Sequence, residues 1–198
     1  MSRVEARGWD EIWSRWSGVW EGRAPEPAVV DLAARLKAEG RRRVHDLGCG
    51  PGRHLLLLAA EGFEASGSDF SPAAVETCRR RLKEAGLSAE VTLADMTDVP
   101  AEDASLDAVI AWDVVYHGSL ETIRRTVEGV RRKLRPGGYF LLTFNSTRSA
   151  SYLRAREELA RGEAEEPEPN TFVVPGDPFD KRLPHHYTTE QEVRERIM

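Results

Sequence analysis

Apolar and polar positions along this chain follow two alternating rhythms. Short apolar runs at 43–47, 64–69, 89–94, 108–112 and 139–144 read as buried strands. The segments between them, 53–61, 72–85 and 120–134, space their apolar residues at helical intervals. Pro72 suits the first turn of its helix, because its fixed φ and missing N–H cost nothing there. Strands alternating with helices in this way predict an α/β fold, with a mostly parallel sheet covered on both faces. Upstream, Trp9, Trp13, Trp16 and Trp20 fall on one helical face. That helix breaks at Pro25 and Pro27, and a second one follows over 28–39. Downstream, 149–161 reads as a charged helix, the acidic, proline-containing 162–170 as a surface loop, and 171–174 as a short strand. Thr189 with Glu192 three residues on has the form of a capping box at a last helix. The expected organisation is a single domain in three parts. These are a helical cap over 1–40, a cofactor-binding core over 41–146, and a C-terminal region over 147–198 for substrate or dimer contacts.

The first strand runs into the segment 44–54, VHDLGCGPGRH. Gly48, Gly50 and Gly52 let the backbone turn sharply and leave no Cβ to fend off a ligand. The helix that follows offers free N–H groups and a partial positive charge. Asp46 closes the strand at its C-terminal end, where open α/β sheets bind ligands. Together these features describe a nucleotide-type cofactor loop. A dinucleotide fingerprint would need a third glycine where Arg53 stands, and no Gly-Lys-Ser/Thr follows for a phosphate loop. The second strand ends on Asp69, 19 residues past Gly50. A carboxylate there can accept both hydroxyls of a ribose. The third strand ends on Asp95. Cys49 reads as a small residue tolerated in a tight loop, and His45 as a structural histidine inside the first strand.

Composition narrows the field. A net charge of −5 argues against nucleic acid as the main partner. The basic clusters at 41–43, 79–83 and 131–133 read as solvated faces. Two cysteines without metal spacing imply neither a disulfide framework nor a metal site, and fit a reducing cytoplasm. No run is long enough to span a membrane.

With acids ending three successive strands and an Arg135-Pro136-Gly137-Gly138 turn before the fifth, the segment 44–145 resembles the class I S-adenosylmethionine-dependent methyltransferases of small-molecule type. The resemblance covers about half the chain. It implies a three-layer Rossmann-like sandwich with strand order 3-2-1-4-5-7-6 and the seventh strand antiparallel. Here the last two strands are expected to be missing. The open edge of strand five would then be covered by 171–174 or by a second subunit in a homodimer, unless the chain is a truncated form.

The resemblance also implies S-adenosylmethionine as cofactor and S-adenosylhomocysteine as product. Asp46 would hold the ammonium, directly or through water, and Gly48 would lend a carbonyl. Leu47, Cys49, Gly50, Gly52, Arg53 and His54 would complete the loop around the methionine end. Asp69, with Phe70 and Ser71, would take the ribose. Asp95 would accept the adenine amino group, and Met96 would give the ring a polarizable contact. Trp112, Asp113, Val114 and His117 would border the methyl group, with His117 the candidate general base because histidine titrates near neutral pH. Trp13, Trp16, Tyr116, His185, His186 and Tyr187 would face a small-molecule acceptor. Arg148 and Arg154 read either as anchors for an anionic substrate or as solvated helix arginines. A non-catalytic cofactor-binding protein is the runner-up reading. An NAD-linked oxidoreductase is disfavoured by Arg53 at the third glycine position and by Asp95.

Overall fold

The computed structural model describes residues 8–15, 22–177 and 182–198. Trp16 and Trp20 lie outside the described residues. A helix, α1, occupies 8–15. The elements then run α2 (Pro27–Ala38), β1 (Arg43–Leu47), α3 (Arg53–Ala60), β2 (Glu64–Asp69), α4 (Pro72–Glu84), β3 (Glu90–Leu93), β4 (Leu106–Ala111), α5 (Leu120–Lys133) and β5 (Leu134–Leu142). Strands β1 to β5 form one parallel sheet in the order β3-β2-β1-β4-β5.

The sheet separates two apolar layers. On one side Val29 and Leu36 of α2, Leu55 and Leu58 of α3, and Val75, Cys78 and Leu82 of α4 pack on Val44, Ala108 and Ile110. On the other, Val130 of α5 packs with Leu47, Leu106, Val109 and Ala111. Strand β4 sends residues to both layers and is buried throughout, as a central parallel strand must be. Serine caps set the helix starts. Ser71 Oγ accepts from Ala74 N–H at 3.3 Å, and Ser119 Oγ accepts from Thr122 N–H at 3.1 Å.

Beyond β5 come β6 (Asn145–Ser146), α6 (Ala150–Ala160), β7 (Glu165–Glu168), β8 (Thr171–Val173), β9 (His185–Thr188) and α7 (Glu190–Glu192), which continues as a π-helical turn over Val193–Ile197. The four short strands make a second sheet in the order β6-β9-β8-β7. Here the structure corrects three expectations. The segment expected as a surface loop contains β7. Asn170 takes a left-handed φ of 63° and turns the chain into an antiparallel pair with β8, while a register shift accommodates Pro167 on the edge strand. Strand β8 pairs with β7 and β9 and does not cover β5. Among the described residues, β5 pairs only with β4. Strand β5 also starts five residues early. Leu134 is already extended and pairs with Leu106, and the Pro136-Gly137 turn bulges out before pairing resumes at Tyr139. The last turn packs Val193 and Ile197 on Ile123 and Val127, alongside Phe140, Leu142 and Phe144. No described helix is long and apolar enough to cross a membrane.

Candidate active site

The strand order reverses direction between β1 and β4, and the crevice beyond their C-terminal ends is where such sheets take ligands. The glycine loop fills its floor. Gly48, Gly50 and Gly52 all hold left-handed φ values of 67°, 53° and 87°. A Cβ on Gly48 would overlap the methyl groups of Val114, and one on Gly50 would press on the Trp13 ring at 3.0 Å. Cys49 N–H donates to Ser68 O at 2.9 Å and ties the loop to β2. Contact with the Cys78 thiol, together with burial, pushes the Cys49 thiol well above its ordinary pKa.

Two acids stand at this floor. Asp46 is 2% exposed and its Oδ2 has no hydrogen-bond partner. Burial, reinforced by the nearby Asp69 charge, raises its pKa from 3.8 to about 7, against the pull of Arg53 and a hydrogen bond from Leu55 N–H. Asp69 is 7% exposed. Its Oδ2 accepts from Gly50 N–H and its Oδ1 from Ser71 N–H, both at 2.9 Å, so the carboxylate is fixed in direction. Burial raises its pKa despite those bonds.

Two cavities open over the loop. The smaller, about 70 Å³, is bounded by Leu47, Asp69, Phe70, Met96 and Val114. The larger, about 420 Å³, is bounded by Cys49, Gly50, Arg53, His54, Trp112, Tyr116 and Arg154, among others. Trp9, Trp13, Gly48, Asp113 and His117 belong to the walls of both. Asp46 lies beneath the loop, outside either wall. Arg53 spends its charge on Glu26 at 2.8 Å. His54 Nε2 accepts from Glu26 N–H at 3.3 Å, and burial, with help from the Arg53 charge, lowers its pKa to about 4, so the ring is neutral.

Asp113 begins the turn after β4 with a left-handed φ of 58°, its N–H bonded to Thr143 Oγ1 at 2.7 Å. That turn delivers His117, which is 7% exposed. His117 Nε2 donates to Asp113 O at 3.1 Å, so the neutral ring keeps its lone pair on Nδ1. The rings of Trp9, Tyr116 and His185 surround it at centroid distances of 4.6, 4.4 and 4.5 Å.

Helix α1 forms the roof. Asp10 Oδ1 accepts from Ser71 Oγ at 2.9 Å and Ala73 N–H at 3.1 Å, capping α4 from outside. A carboxylate is favoured at that positive helix end. Arg182 donates to Gly8 O at 3.1 Å and to Glu11 Oε2 at 3.0 Å.

The remaining expected residues are distributed unevenly. Asp95 is absent from both walls and turns its Oδ1 toward Thr97 N–H and Oγ1, while its neighbour Met96 lines the smaller cavity. His185 backs onto His117 and donates from Nδ1 to Leu183 O. His186 faces into the second sheet, with Thr171 Oγ1 at 2.7 Å and Glu192 Oε2 at 3.2 Å on its two nitrogens. Tyr187 is buried against Tyr152 and Phe172. Neither His186 nor Tyr187 reaches a cavity wall. Trp9, Ile12 and Asp177 line the larger cavity without having been singled out. Only Trp9, on the same helical stripe as Trp13, left a signal in the sequence. Among the described residues no group of side chains is arranged to hold a metal ion.

Residues 44–138 match the family described as a methyltransferase domain. Over that segment the chain is similar to the class I S-adenosylmethionine-dependent methyltransferases. It is 30% identical over 147 residues to a ubiquinone biosynthesis O-methyltransferase of Xanthomonas axonopodis pv. citri, covering 69% of this chain and 59% of that relative. It is 36% identical over 113 residues to a trans-aconitate 2-methyltransferase of Methylobacterium nodulans, covering 56% of this chain and 41% of that one. The chain thus spans about three fifths or less of the length of these curated relatives. A methyltransferase structure from Methanosarcina mazei superposes with a TM-score of 0.69 at 21% identity, covering 86% of this chain and 82% of that one, which shows a shared fold.

Proposed function

We propose that this methyltransferase-family protein moves a methyl group from S-adenosylmethionine to a small-molecule acceptor by direct displacement. The observation that carries the reading is the pair of cavities sharing one wall. The smaller has an oriented carboxylate, Asp69, and apolar sides at Phe70, Met96 and Val114, the lining a nucleoside takes, with about 70 Å³ to admit part of one. The larger shares His117 with it and has about 420 Å³ of room for an acceptor. The residues fit the cofactor on a second count. Asp46 holds a buried carboxylate oxygen without a partner beneath the loop, and the amino-acid end of S-adenosylmethionine brings an ammonium.

When bound, S-adenosylmethionine supplies a methyl group already activated by its sulfonium. The chain's own work is then alignment, dehydration and proton handling. Asp69 accepts from the ribose hydroxyls, and Asp46 attracts the ammonium directly or through a water. Trp9 and Trp13 on α1 exclude water above the shared wall. Alignment of this kind can supply about 7–11 kcal/mol of barrier lowering. His117, in the wall the two cavities share, would take the proton of a hydroxyl or ammonium acceptor, a contribution of about 10²–10⁴-fold.

The test is calorimetric titration with S-adenosylhomocysteine, with NADH in parallel, followed by transfer of labelled methyl from S-adenosylmethionine to an acceptor library. Micromolar binding of S-adenosylhomocysteine alone, with labelled product, supports the reading. Preference for NADH would overturn it.

A further inference from the structure

The wall of the larger cavity includes a cation that pairs with none of the described residues. Arg154 lies on α6 and lines that cavity, and among the described residues it makes no hydrogen bond or ion pair. Its helix neighbours behave otherwise. Arg156 pairs with Glu166 at 3.1 Å and Arg161 with Glu163 at 2.8 Å. Glu158 stands four residues after Arg154, at the spacing of a helical ion pair, yet the two do not pair and Glu158 Oε2 is buried without a hydrogen bond. Arg154 is an exposed residue that lines the cavity and pairs with none of the described residues.

The other charges in the wall are engaged. Arg53 is bound to Glu26. Asp177 has contacts of its own, and they do not involve Arg154. Asp113 sits at the shared wall with Thr143 Oγ1 3.4 Å from its Oδ1. Trp9, Trp13, Trp112 and Tyr116 supply flat apolar surface to the same cavity that Arg154 and His117 line. An apolar chamber with one unengaged planar fork selects a molecule with an apolar body and one carboxylate, since the fork matches a carboxylate in two parallel bonds.

We propose that Arg154 anchors a carboxylate of the acceptor, so that the substrate class is a small aromatic or aliphatic carboxylate. The inference rests on the methyltransferase reading above and narrows its acceptor. Arg154 binds substrate, while His117 and the glycine loop are left to the transfer itself.

The experiment uses the full chain saturated with S-adenosylhomocysteine, whose binding is measured first. Matched probes, benzoate with benzamide and hexanoate with hexanamide, are titrated while the fluorescence of the wall tryptophans is followed. The same titrations are run on Arg154→Ala and Arg154→Lys. In the parent chain at least one carboxylate should bind about tenfold more tightly than its amide. That preference should vanish in Arg154→Ala and be partly kept in Arg154→Lys, with S-adenosylhomocysteine affinity equal in all three. Equal affinities within both pairs would overturn the anchor while leaving the methyltransferase reading intact. So would a failure of both carboxylates to bind, or a preference that survives in Arg154→Ala. Failure of S-adenosylhomocysteine to bind the parent chain would instead overturn the methyltransferase reading, and the anchor with it.

Discussion

Replacing Asp46 with asparagine tests the electrostatics beneath the glycine loop. Burial raises the Asp46 pKa from an ordinary 3.8 to about 7 in the folded chain. The folded state therefore holds a proton that the unfolded state gives up. Stability falls as pH rises from about 3.8 to about 7, and the full penalty applies above that. The gap corresponds to about 4 kcal/mol at pH 8. An asparagine removes the charge but leaves an amide with unmet hydrogen bonds, which costs about 1–3 kcal/mol. The net gain for Asp46→Asn at pH 8 is then about 2 kcal/mol, or a rise in Tm of about 4–8 °C for a chain of this size. At pH 5 only about 1.7 kcal/mol of that penalty has developed, the amide's cost cancels it, and the gain should disappear. The ligand should respond in the opposite sense. S-adenosylhomocysteine brings an ammonium toward Asp46, so the variant should bind it about tenfold more weakly at pH 8. Scanning fluorimetry at pH 5 and pH 8, with calorimetry at pH 8, reads both effects. A stability change of the same size at both pH values would refute the buried-charge argument. Unchanged S-adenosylhomocysteine affinity would refute the ammonium role.

Asp69→Ala should weaken S-adenosylhomocysteine binding by about 1–3 kcal/mol in calorimetry, through loss of charge-assisted ribose contacts; equal affinity would remove Asp69 from the ribose. His117→Ala should lower kcat by about 10²-fold or more with S-adenosylhomocysteine affinity nearly intact, and loss of both would make it a structural residue. Gly48→Ala should destabilise by about 1–3 kcal/mol in urea unfolding, because φ is left-handed and Val114 occupies the space. Adding Val114→Ala should recover only the steric part, and complete recovery would mean that φ is unstrained. His45 is buried between Ser66 Oγ and Ser68 Oγ, at 2.9 Å each, and burial lowers its pKa from 6.5 to about 4. The unfolded chain takes up this proton first, so its contribution is complete above pH 6.5 and lost as pH falls toward 4. His45→Gln should make the acid limb of the Tm profile shallower, whereas an unchanged limb would show the ring is not held neutral.

The sheet was legible because each of its determinants is local. The strands end on acids, glycines follow at once, and serines begin the helices, all within a few residues of one another. The resemblance that this pattern carries singled out Asp69, Gly48 and Met96, and all three line the smaller cavity. Residues joined by long loops could not. His185 and His186 are adjacent, but consecutive strand residues face opposite ways, so one backs onto His117 and the other locks the second sheet. The histidine pair in the sequence does not say which is which. Pro167 argued for a loop, and only the partner strand β8, with its register shift, makes an edge strand of it. Asp10 went unremarked in the sequence because its partner Ser71 is 61 residues away. Arg154 and Asp177 meet the larger cavity only through the packing of the C-terminal region, which leaves no local periodicity to read.

The cap that Asp10 places on α4 has a thermodynamic consequence. Ser71 donates from its backbone to Asp69 and from its hydroxyl to Asp10, so a single residue bridges the carboxylate on the cavity floor and the helix above it. If a nucleoside held at Asp69 steadies Ser71, it lowers the free energy of the closed roof. Linkage then runs equally in reverse: whatever favours closure, an acceptor under Trp9 and Trp13 included, tightens the nucleoside by the same factor. Two ligands that never touch Ser71 together would thus be cooperative through it. The strength of that coupling is the ratio of nucleoside affinities with and without the acceptor, and Asp10→Ala is the substitution that should bring the ratio to one.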